Sequence, residues 1–412
     1  MKTFTTIVCL LIPFPGPRRR LRTWLKCKFP PRPKKSALHI LRRYVRKRNV
    51  ILWFDHSLGG GTETYSLRQF NELKNSGFAI IRIQYFPWCN MYGLSAPNHS
   101  KIVKYMVPTL AEVQAAVGDM RVIKIVVNNL VGYPKSTEVL DYVAALKAAF
   151  NAFVSFRAHD FQSICPSFNL INCDGEFCNF TYPRGCEECW RNKRLGDCDR
   201  ANEILRSGAE SVAKWRQDWG RFFSETVDEI IVFSKIIGEM FARIYPQLAN
   251  KTVLVPHFVP TLRKAVVSPH DGINIACLGN MLPVKGRDVI IEMCRHIPDY
   301  ENVNITIIGD MEASDCIPAN LTVLGQYDRD NLPAIIERYK IDIIFIPSIW
   351  PETFSYTTAE AMSMNLPVVC YNMGAPAERV GAYRRGLVLR EINPQRNLQE
   401  IITFVRHLKK EN

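Results

Sequence analysis

The chain has 412 residues, of which 47% are apolar and 22% are charged, as is typical of a globular protein. This length exceeds one ordinary core and favours two domains of roughly 150 to 200 residues each. The formal net charge is +14, but residues 1–50 hold fifteen Lys and Arg and no Asp or Glu, so the rest of the chain is close to neutral. A nucleic-acid enzyme needs positive charge spread along a groove, so we expect no nucleic-acid partner.

The basic N-terminal arm, residues 1–48, interleaves Arg and Lys with Leu, Trp, Phe and Tyr. This pattern favours an anionic membrane surface, near which each basic residue contributes about 1 kcal/mol. A solvated, partly disordered arm is the alternative. No apolar run reaches the roughly 18 residues that span a bilayer, and the apolar piece 4–14 is a weak secretion signal. We therefore expect a cytoplasmic protein, with peripheral attachment to the inner face of the membrane as a further option.

From residue 49 onward, strand-like and helix-like patterns alternate, which predicts an α/β fold with a parallel, doubly wound sheet. The first strand is followed by Gly59, Gly60 and Gly61, a loop whose backbone can come close to a ligand. Thr62 is predicted to cap the next helix. The sequence holds neither the dinucleotide fingerprint at this loop nor a P-loop anywhere. Strands are predicted at 50–54, 79–85, 122–127 and 152–156, with a helix at 142–150.

His159 and Asp160 follow the strand at 152–156. A lone His is more often structural than catalytic, but this one lies at the carboxyl end of a strand, where the Gly loop must also lie. A neutral imidazole there could contact a sugar hydroxyl or a phosphate, with Asp160 orienting the ring. We therefore take His159 as a candidate catalytic residue.

Six of the thirteen cysteines fall within residues 165–198. Disulfides would need an oxidising compartment, whereas thiolates with C-x2-C spacing suit tetrahedral zinc. We predict a structural zinc site; buried free thiols in an irregular insertion are the alternative. The predicted ligands are Cys165, Cys178, Cys186 and Cys189, with Cys173 and Cys198 as alternates.

A helix at 208–225, strands at 227–233 and 252–255 and a helix at 235–244 complete the first domain. A polar, proline-containing segment at 256–270 is typical of a linker. The predicted domains are therefore 49–258, with a cysteine-rich insertion at 165–198, and 259–395. A terminal helix, 396–412, is expected to fold back across the first domain.

The second domain opens with a strand at 273–278, followed by Gly279, Asn280 and Lys285. Further strands are predicted at 304–309, 322–325 and 341–346. Glu352 follows the last of these, and Glu360 lies in a helix predicted at 357–364. A helix start beyond the carboxyl end of a buried parallel strand favours phosphate, so a nucleotide diphosphate is the first candidate ligand.

Together these motifs resemble the retaining glycosyltransferases of the GT-B fold, the family called glycosyl transferases group 1. The resemblance rests on E-x7-E at Glu352 and Glu360, and on the segments LGNMLPVKG, IIGD, LGQY and GAPAERV in the second domain. In the first domain GGGTETY, IIVFSK and VLVPHFV are similar to family segments. The resemblance implies two Rossmann-like domains facing a central cleft and a nucleotide-sugar donor.

The resemblance also implies a role for each matched residue. Glu352 would bind the donor sugar and Glu360 the ribose, while Lys285 would bind the diphosphate. Backbone N–H groups near Phe354 and Ser355 would face the sugar and phosphate. His159 matches a His near the reacting centre, and no catalytic metal is expected.

Two positions depart from the family pattern. Asn280 stands where many members have Arg, and Ser355 stands where a Gly is frequent. A replacement for the missing phosphate cation could come from Arg287. These departures leave the donor preference open.

The stretch HD-x-x-x-x-CP beginning at His159, with the cysteines that follow, resembles bacterial enzymes of polysaccharide assembly. This implies a glycan or lipid-linked acceptor in O-antigen or capsule synthesis. A sugar-nucleotide epimerase of the same fold and a zinc-stabilised, non-catalytic glycan-binding protein are the alternatives.

Overall fold

The computed structural model describes residues 35–97, 103–181, 183–193, 210–311 and 318–411. These residues form two compact units. The first unit holds the described residues up to Phe168, Cys186–Ile231 and Ile244–Val253; the second holds Asn169–Gly185, Val232–Arg243 and the described residues from Leu254 onward. Two segments expected in the first domain, 169–185 and 232–243, therefore cluster with the second unit.

The sheet of the first unit has parallel strands at its centre and a hairpin at one edge. Its strands are β1 (Val50–Asp55), β2 (Ala79–Phe86), β3 (Met91–Ser95), β4 (Lys104–Val107), β5 (Val122–Val127), β6 (Phe153–Arg157), β7 (Glu229–Val232) and β8 (Thr252–Leu254), in the order β4-β3-β2-β1-β5-β6-β7-β8. β1 pairs parallel with β2 and β5, β5 with β6, and β6 with β7. β3 runs antiparallel to β2 and β4, a hairpin that was not predicted.

Helices connect these strands. They are α1 (Lys35–Val45), α2 (Gly61–Asn75), α3 (Leu110–Val117), α4 (Ser136–Phe150), α5 (Gly185–Asn192), α6 (Val212–Glu225) and α7 (Lys235–Ile244). Every residue of β1 is buried, because the strand lies centrally in the sheet and its sequence VILWFD is almost wholly apolar. Trp53 on this strand packs edge-on against Phe70 of α2, with ring centroids 5.1 Å apart.

Part of the predicted basic arm is a packed helix. In α1, Ala37, Leu41 and Val45 are buried, and their spacing of four residues places them on one helical face. Arg42 Nη2 lies 3.1 Å from Asp119 Oδ2. The alternative of a solvated, partly disordered arm therefore does not hold for α1, because its apolar face is buried. Residues 1–34 of the arm lie outside the described residues.

The second unit contains an entirely parallel sheet. Its strands are β9 (Ile273–Leu278), β10 (Val303–Ile308), β11 (Leu321–Val323), β12 (Ile343–Ile346), β13 (Val368–Tyr371) and β14 (Gly386–Leu389), in the order β11-β10-β9-β12-β13-β14. Its helices are α8 (Arg287–Arg295), α9 (Leu332–Arg338), α10 (Tyr356–Ser363), α11 (Gly374–Gly381) and α12 (Pro394–Glu411).

Apolar residues cover both faces of this sheet. Alternate residues of β9 belong to two separate core clusters, with Ile275 and Cys277 in one and Ala276 and Leu278 in the other. A parallel sheet buried on both faces is the doubly wound arrangement. The prediction of two α/β domains with parallel sheets is confirmed. Among the described residues, no helix is both long and apolar enough to cross a membrane.

The terminal helix α12 packs on the second unit. Its apolar side chains Leu398, Ile401 and Val405 are buried in the same core cluster as β9. Near its end, Lys409 Nζ lies 2.8 Å from Asp342 Oδ1. This corrects the expectation that residues 396–412 return to the first domain, because the apolar stripe of the helix is already covered by its own unit.

The burial of α1 generates a stability prediction. Leu41 is fully buried, so Leu41→Ala should lower the free energy of unfolding by about 2–4 kcal/mol through lost contacts and the cavity left behind. Urea denaturation measures the change. Leu67→Ala on α2, where the side chain is 48% exposed, is the matched control and should cost far less. Equal effects of the two substitutions would show that α1 is not packed on the domain.

Candidate active site

An ion pair lies beyond the carboxyl ends of two neighbouring strands, β9 and β12. Lys285 Nζ lies 2.8 Å from Glu352 Oε1, and the Glu352 side chain is only 7% exposed. The Lys285 side chain remains 33% exposed. Because an ammonium group has three N–H donors and Glu352 needs one, donors remain for a second anion. The carboxyl ends of parallel strands are where α/β proteins bind ligands.

Glu352 is held as a carboxylate despite its burial. Burial alone raises the pKa of Glu352, but the Lys285 charge and the hydrogen bonds from Lys285, Ser348 and Ser355 lower it below its usual value. Ser348 Oγ donates to Glu352 Oε1. A buried carboxylate in this state is a strong acceptor for hydroxyl groups of a ligand.

The backbone of Glu352 is fixed by the start of α11. The N–H of Ala375 donates to Glu352 O at 2.8 Å. Gly374 has a φ of +63°, and a Cβ at this position would lie 2.7 Å from Glu352 N. Only glycine fits this approach, so the GAPAERV segment positions the first glutamate of E-x7-E.

The loop after Glu352 ends at the start of α10. Ser355 directly precedes this helix and has φ 65°, a region that favours glycine. Its Oγ accepts a hydrogen bond from Thr358 Oγ1 at 2.9 Å. The first N–H groups of a helix have no acceptor within the helix and lie at the positive end of its dipole. Phe354, Ser355 and α10 therefore present backbone donors suited to an anion.

The loop after β9 adds two of the predicted residues. Gly279 donates its N–H to Ile308 O at 2.9 Å, and a Cβ on it would lie 3.6 Å from Thr357 Cγ2 of α10. Asn280 is exposed and carries no charge. Arg287, the suggested replacement cation, has its Nε 2.8 Å from Asp288 Oδ1. Gly279 thus lies beside the start of α10, whereas Asn280 adds no cation.

Glu360 faces a different cation from the one that holds Glu352. Arg329 Nε lies 3.0 Å from Glu360 Oε1, and the Glu360 side chain is 9% exposed. Burial raises the pKa of Glu360, and the Arg329 charge and hydrogen bond oppose this only in part. Arg329 also donates to Pro260 O in the linker. Each glutamate of E-x7-E is therefore paired with its own cation.

The first unit has a buried polar network where β1 and β5 end. Asp55, fully buried at the end of β1, accepts hydrogen bonds from Ser66 Oγ at 2.8 Å and Asn128 Nδ2 at 3.1 Å. Arg82 Nη2 lies 2.7 Å from Asp55 Oδ2, and the same guanidinium binds Glu63. A buried carboxylate with this many partners is well satisfied and rigidly held.

His159 is attached to this network through Asn128. His159 Nε2 lies 3.0 Å from Asn128 Oδ1. The amide of Asn128 donates to Asp55 and Ser66, so its oxygen faces the ring and Nε2 must be the donor. The Tyr65 ring packs edge-on against the imidazole at 4.8 Å. In the neutral ring, Nδ1 is then the basic nitrogen.

Asp160 does not have the role expected for it. It accepts hydrogen bonds from Asn129 Nδ2 at 2.6 Å and from the N–H of Gln162 at 2.7 Å. Burial raises the pKa of Asp160 to about 6. The amide of Asn128, rather than this carboxylate, fixes the His159 ring, which corrects the prediction that Asp160 orients it.

The predicted Gly loop leads into α2. Gly59 and Gly60 have φ of +83° and +81°, and the helix begins at Gly61 with Gly60 as its N-cap residue. Thr62 lies inside the first turn, so the prediction that it caps the helix is wrong. No side chain caps this helix. The N–H of Glu63 donates to Gly60 O, which leaves the N–H groups of Gly61 and Thr62 as candidate donors to a ligand.

His56, next to Asp55, is a candidate site residue that was not predicted from the sequence. Burial lowers the pKa of His56, and the nearby Arg82 charge lowers it further, while Asp55 opposes both. Its Nδ1 accepts from the N–H of Leu58 at 2.9 Å, so the neutral ring carries its proton on Nε2. The signal was present, because Asp55, His56 and Asn128 are polar residues immediately at strand ends.

The four predicted zinc ligands are not assembled into a metal site. Within the ranges that the structure describes, no three His, Cys, Asp or Glu side chains are grouped so as to share a metal ion. Cys186 and Cys189 lie on α5, and Cys186 Sγ accepts a hydrogen bond from Arg216 Nη2 at 3.4 Å. The structure therefore gives no support to zinc binding by Cys165, Cys178, Cys186 and Cys189. The alternate Cys198 lies outside the described residues.

Residues 258–412 match the model of the family described as Glycosyl transferases group 1. The similarity is confined to this part of the chain, and it includes Gly279, Lys285, Glu352 and Glu360. A comparison with curated protein sequences gave no significant match.

Several solved structures have the same fold as this chain, and the similarity covers both units. The Anabaena protein HepE in complex with UDP-glucose is 13% identical, with a TM-score of 0.53, covering 88% of this chain and 91% of that one. Sucrose-phosphate synthase from Thermosynechococcus elongatus is 15% identical, with a TM-score of 0.58 and coverage of 87% and 90%. The lipopolysaccharide outer core galactosyltransferase WaaB is 11% identical, with a TM-score of 0.53 and coverage of 87% and 90%. The GT-B fold is confirmed.

The Lys285–Glu352 pair predicts a pH-dependent loss of stability. The lowered pKa of Glu352 stabilises the fold above the ordinary value of 4.5, and this stabilisation is lost as the pH falls through the folded-state pKa. In Lys285→Met, burial dominates and the pKa of Glu352 rises, so its ionisation opposes folding as the pH increases. We expect a deficit of about 1–3 kcal/mol at neutral pH, discounted for the partly exposed Lys285, that shrinks towards pH 4.

Urea denaturation across this pH range measures the deficit. Lys264→Met, at an exposed lysine of the same unit, is the control and should show no such dependence. A deficit of Lys285→Met that stays constant with pH would contradict the assignment to Glu352.

The Asn128 contact predicts the tautomer of His159. Nitrogen NMR of the wild type should show His159 protonated at Nε2, and Asn128→Ala should remove this preference because the acceptor is gone. The same substitution should cost about 1–3 kcal/mol of stability. Asn129→Ala, which removes the donor to Asp160 instead, should leave the His159 tautomer unchanged. An Nδ1-protonated ring in the wild type would contradict the network.

Proposed function

We propose that the protein is a retaining glycosyltransferase that moves a sugar from a nucleotide-sugar donor to a glycan or lipid-linked acceptor. The observation that carries the proposal is the Lys285–Glu352 pair, a cation and a charged acceptor 2.8 Å apart beyond the carboxyl ends of β9 and β12. Lys285 suits a diphosphate and Glu352 suits the hydroxyls of the sugar joined to it. The family match over residues 258–412 supports the same chemistry.

In the proposed reaction, the bond between the sugar C1 and the diphosphate oxygen breaks and a bond from C1 to an acceptor hydroxyl oxygen forms on the same face. The hydroxyl proton passes to the leaving phosphate oxygen. Lys285 and the N–H groups at Ser355 and α10 stabilise the charge that develops on the leaving group, so this step asks for no catalytic metal. Glu360 accepts hydrogen bonds from the ribose hydroxyls, and the sequence resemblance assigns His159 a catalytic role.

The acceptor side of the proposal rests on the first unit and on sequence resemblance. The uncapped start of α2 at Gly61, together with Gly59, Gly60 and Thr62, offers backbone donors to a polar acceptor. The HD-x-x-x-x-CP stretch from His159 supports a role in cell-surface polysaccharide synthesis. We propose that the protein works in the cytoplasm, on the inner face of the membrane, with the basic residues that precede α1 contacting anionic lipid.

The donor proposal is tested by a thermal-shift panel of sugar nucleotides, followed by a transfer assay with the selected donor. A ligand at a hundredfold excess over its Kd stabilises the protein by about 2.7 kcal/mol. Glu360→Gln should abolish most of the sugar transfer while leaving the far-UV spectrum unchanged. Glu337→Gln removes a comparable ion pair, with Arg263 on the surface of the same unit, and should leave turnover near the wild-type rate.

Two outcomes would contradict the proposal. Unchanged turnover in Glu360→Gln would contradict the proposed contact between Glu360 and the ribose. Conversion of the donor to an isomeric sugar nucleotide without any acceptor would instead favour the epimerase of the same fold.

A further inference from the structure

The residue just before α10 has a backbone conformation that serine rarely adopts. Ser355 has φ 65° and ψ 95°, and no side chain caps the helix that follows it. A non-glycine residue in such a region is strained and persists only where the surroundings enforce the conformation. Some other group must therefore hold this part of the loop.

Arg379 of α11 contacts the loop at the strained position. Its Nη1 donates to Phe354 O at 2.8 Å and to Ser355 O at 3.2 Å. The guanidinium carbon also lies 4.7 Å from the centroid of the Phe354 ring. The arginine thus binds two consecutive carbonyls and also contacts the side chain of the first residue, Phe354. This combination fixes the peptide plane between Phe354 and Ser355.

The orientation of that peptide plane decides where the loop donors point. A carbonyl and the N–H of the next residue lie on opposite sides of one planar peptide. Because Arg379 binds the carbonyls of Phe354 and Ser355, the N–H groups of Ser355 and Tyr356 are directed away from the arginine. The first N–H groups of α10 are the donors that the proposed function assigns to the sugar and phosphate.

We propose that Arg379 is a positioning residue that enforces the donor-binding conformation of Phe354 and Ser355 and so permits a serine at position 355. The conformational part of this proposal stands on the geometry alone, whereas its effect on ligand affinity rests on the proposed function. Arg379 acts through the backbone of the loop rather than by touching the donor.

The proposal predicts that glycine at position 355 makes the arginine dispensable. Glycine adopts positive φ without a steric penalty, so the loop would keep its conformation when the arginine is removed. Arg379→Ala should weaken the affinity for UDP on the order of tenfold in the otherwise wild-type protein. In the Ser355→Gly background, the same Arg379→Ala change should alter the affinity less than about threefold.

Hydrogen exchange supplies a readout that does not depend on nucleotide binding. The N–H of Ala359 bonds to Ser355 O, so a peptide covering residues 353–364 reports the loop and the first turn of α10. Arg379→Ala should speed exchange in this peptide, and adding Ser355→Gly should slow it again. Arg379→Lys keeps the charge but binds the two carbonyls less firmly. Its exchange rate in this peptide should lie between those of the wild type and Arg379→Ala. Arg384→Ala, at an exposed arginine after α11, should change nothing.

The two measurements separate the two claims. If UDP and every sugar nucleotide of the thermal-shift panel fail to bind the wild type, the proposed function fails, while the exchange data still decide the role of Arg379. Exchange that stays equally fast in the double variant and in Arg379→Ala would overturn the positioning role. Unaltered exchange in Arg379→Ala would overturn it as well.

Discussion

The candidate site of the second unit depends on a buried carboxylate that must stay charged. Glu352 is almost fully enclosed, and a carboxylate in that position is tolerated only when cations and hydrogen bonds replace its lost hydration. Lys285 and Ser348 supply these partners. The backbone of Glu352 is held in place as well, because Gly374 lets the start of α11 pack directly against it.

The first unit also contains a buried carboxylate, and different partners satisfy it. Asp55 is fully buried at the end of β1, and Arg82 and Asn128 satisfy it. Asn128 then transmits the arrangement to His159 by presenting its amide oxygen to the ring. In both units, a rigidly held acidic group that follows a central strand has a candidate site residue, Lys285 or His159, in its hydrogen-bonding network.

Most of the parallel sheets could be predicted because their strands are nearly continuous apolar runs. β5 and β9 have the predicted bounds, since both strands are buried on two faces and interrupted by clear turn signals. The hairpin of β3 and β4 could not be predicted in this way, because MYGLS and KYMV are short and mixed. The helix α1 was not predicted because its many basic residues indicated a solvent- or membrane-exposed arm, although its buried side chains recur every four positions.

Candidate site residues could be predicted where they belong to one sequence motif. Contacts between segments that are distant in the sequence could not be predicted. Glu352, Glu360 and Lys285 were recognised from spacing and resemblance. By contrast, the Arg329–Glu360 pair joins residues 31 positions apart, and the Asn128–Asp55 bond joins residues 73 positions apart. Sequence patterns do not predict which side chains meet over such separations. The cysteines show the opposite case, since close spacing along the chain did not group those of the described residues into a common metal site.

We propose that Lys285 binds the diphosphate of the donor and that Glu352 binds its sugar. Calorimetric titration with UDP and with a UDP-sugar measures the two contacts separately. Lys285→Met should weaken the binding of both ligands, whereas Glu352→Gln should weaken the UDP-sugar and leave UDP affinity nearly unchanged. Equal losses of UDP and UDP-sugar affinity in Glu352→Gln, or unchanged UDP affinity in Lys285→Met, would contradict this proposal.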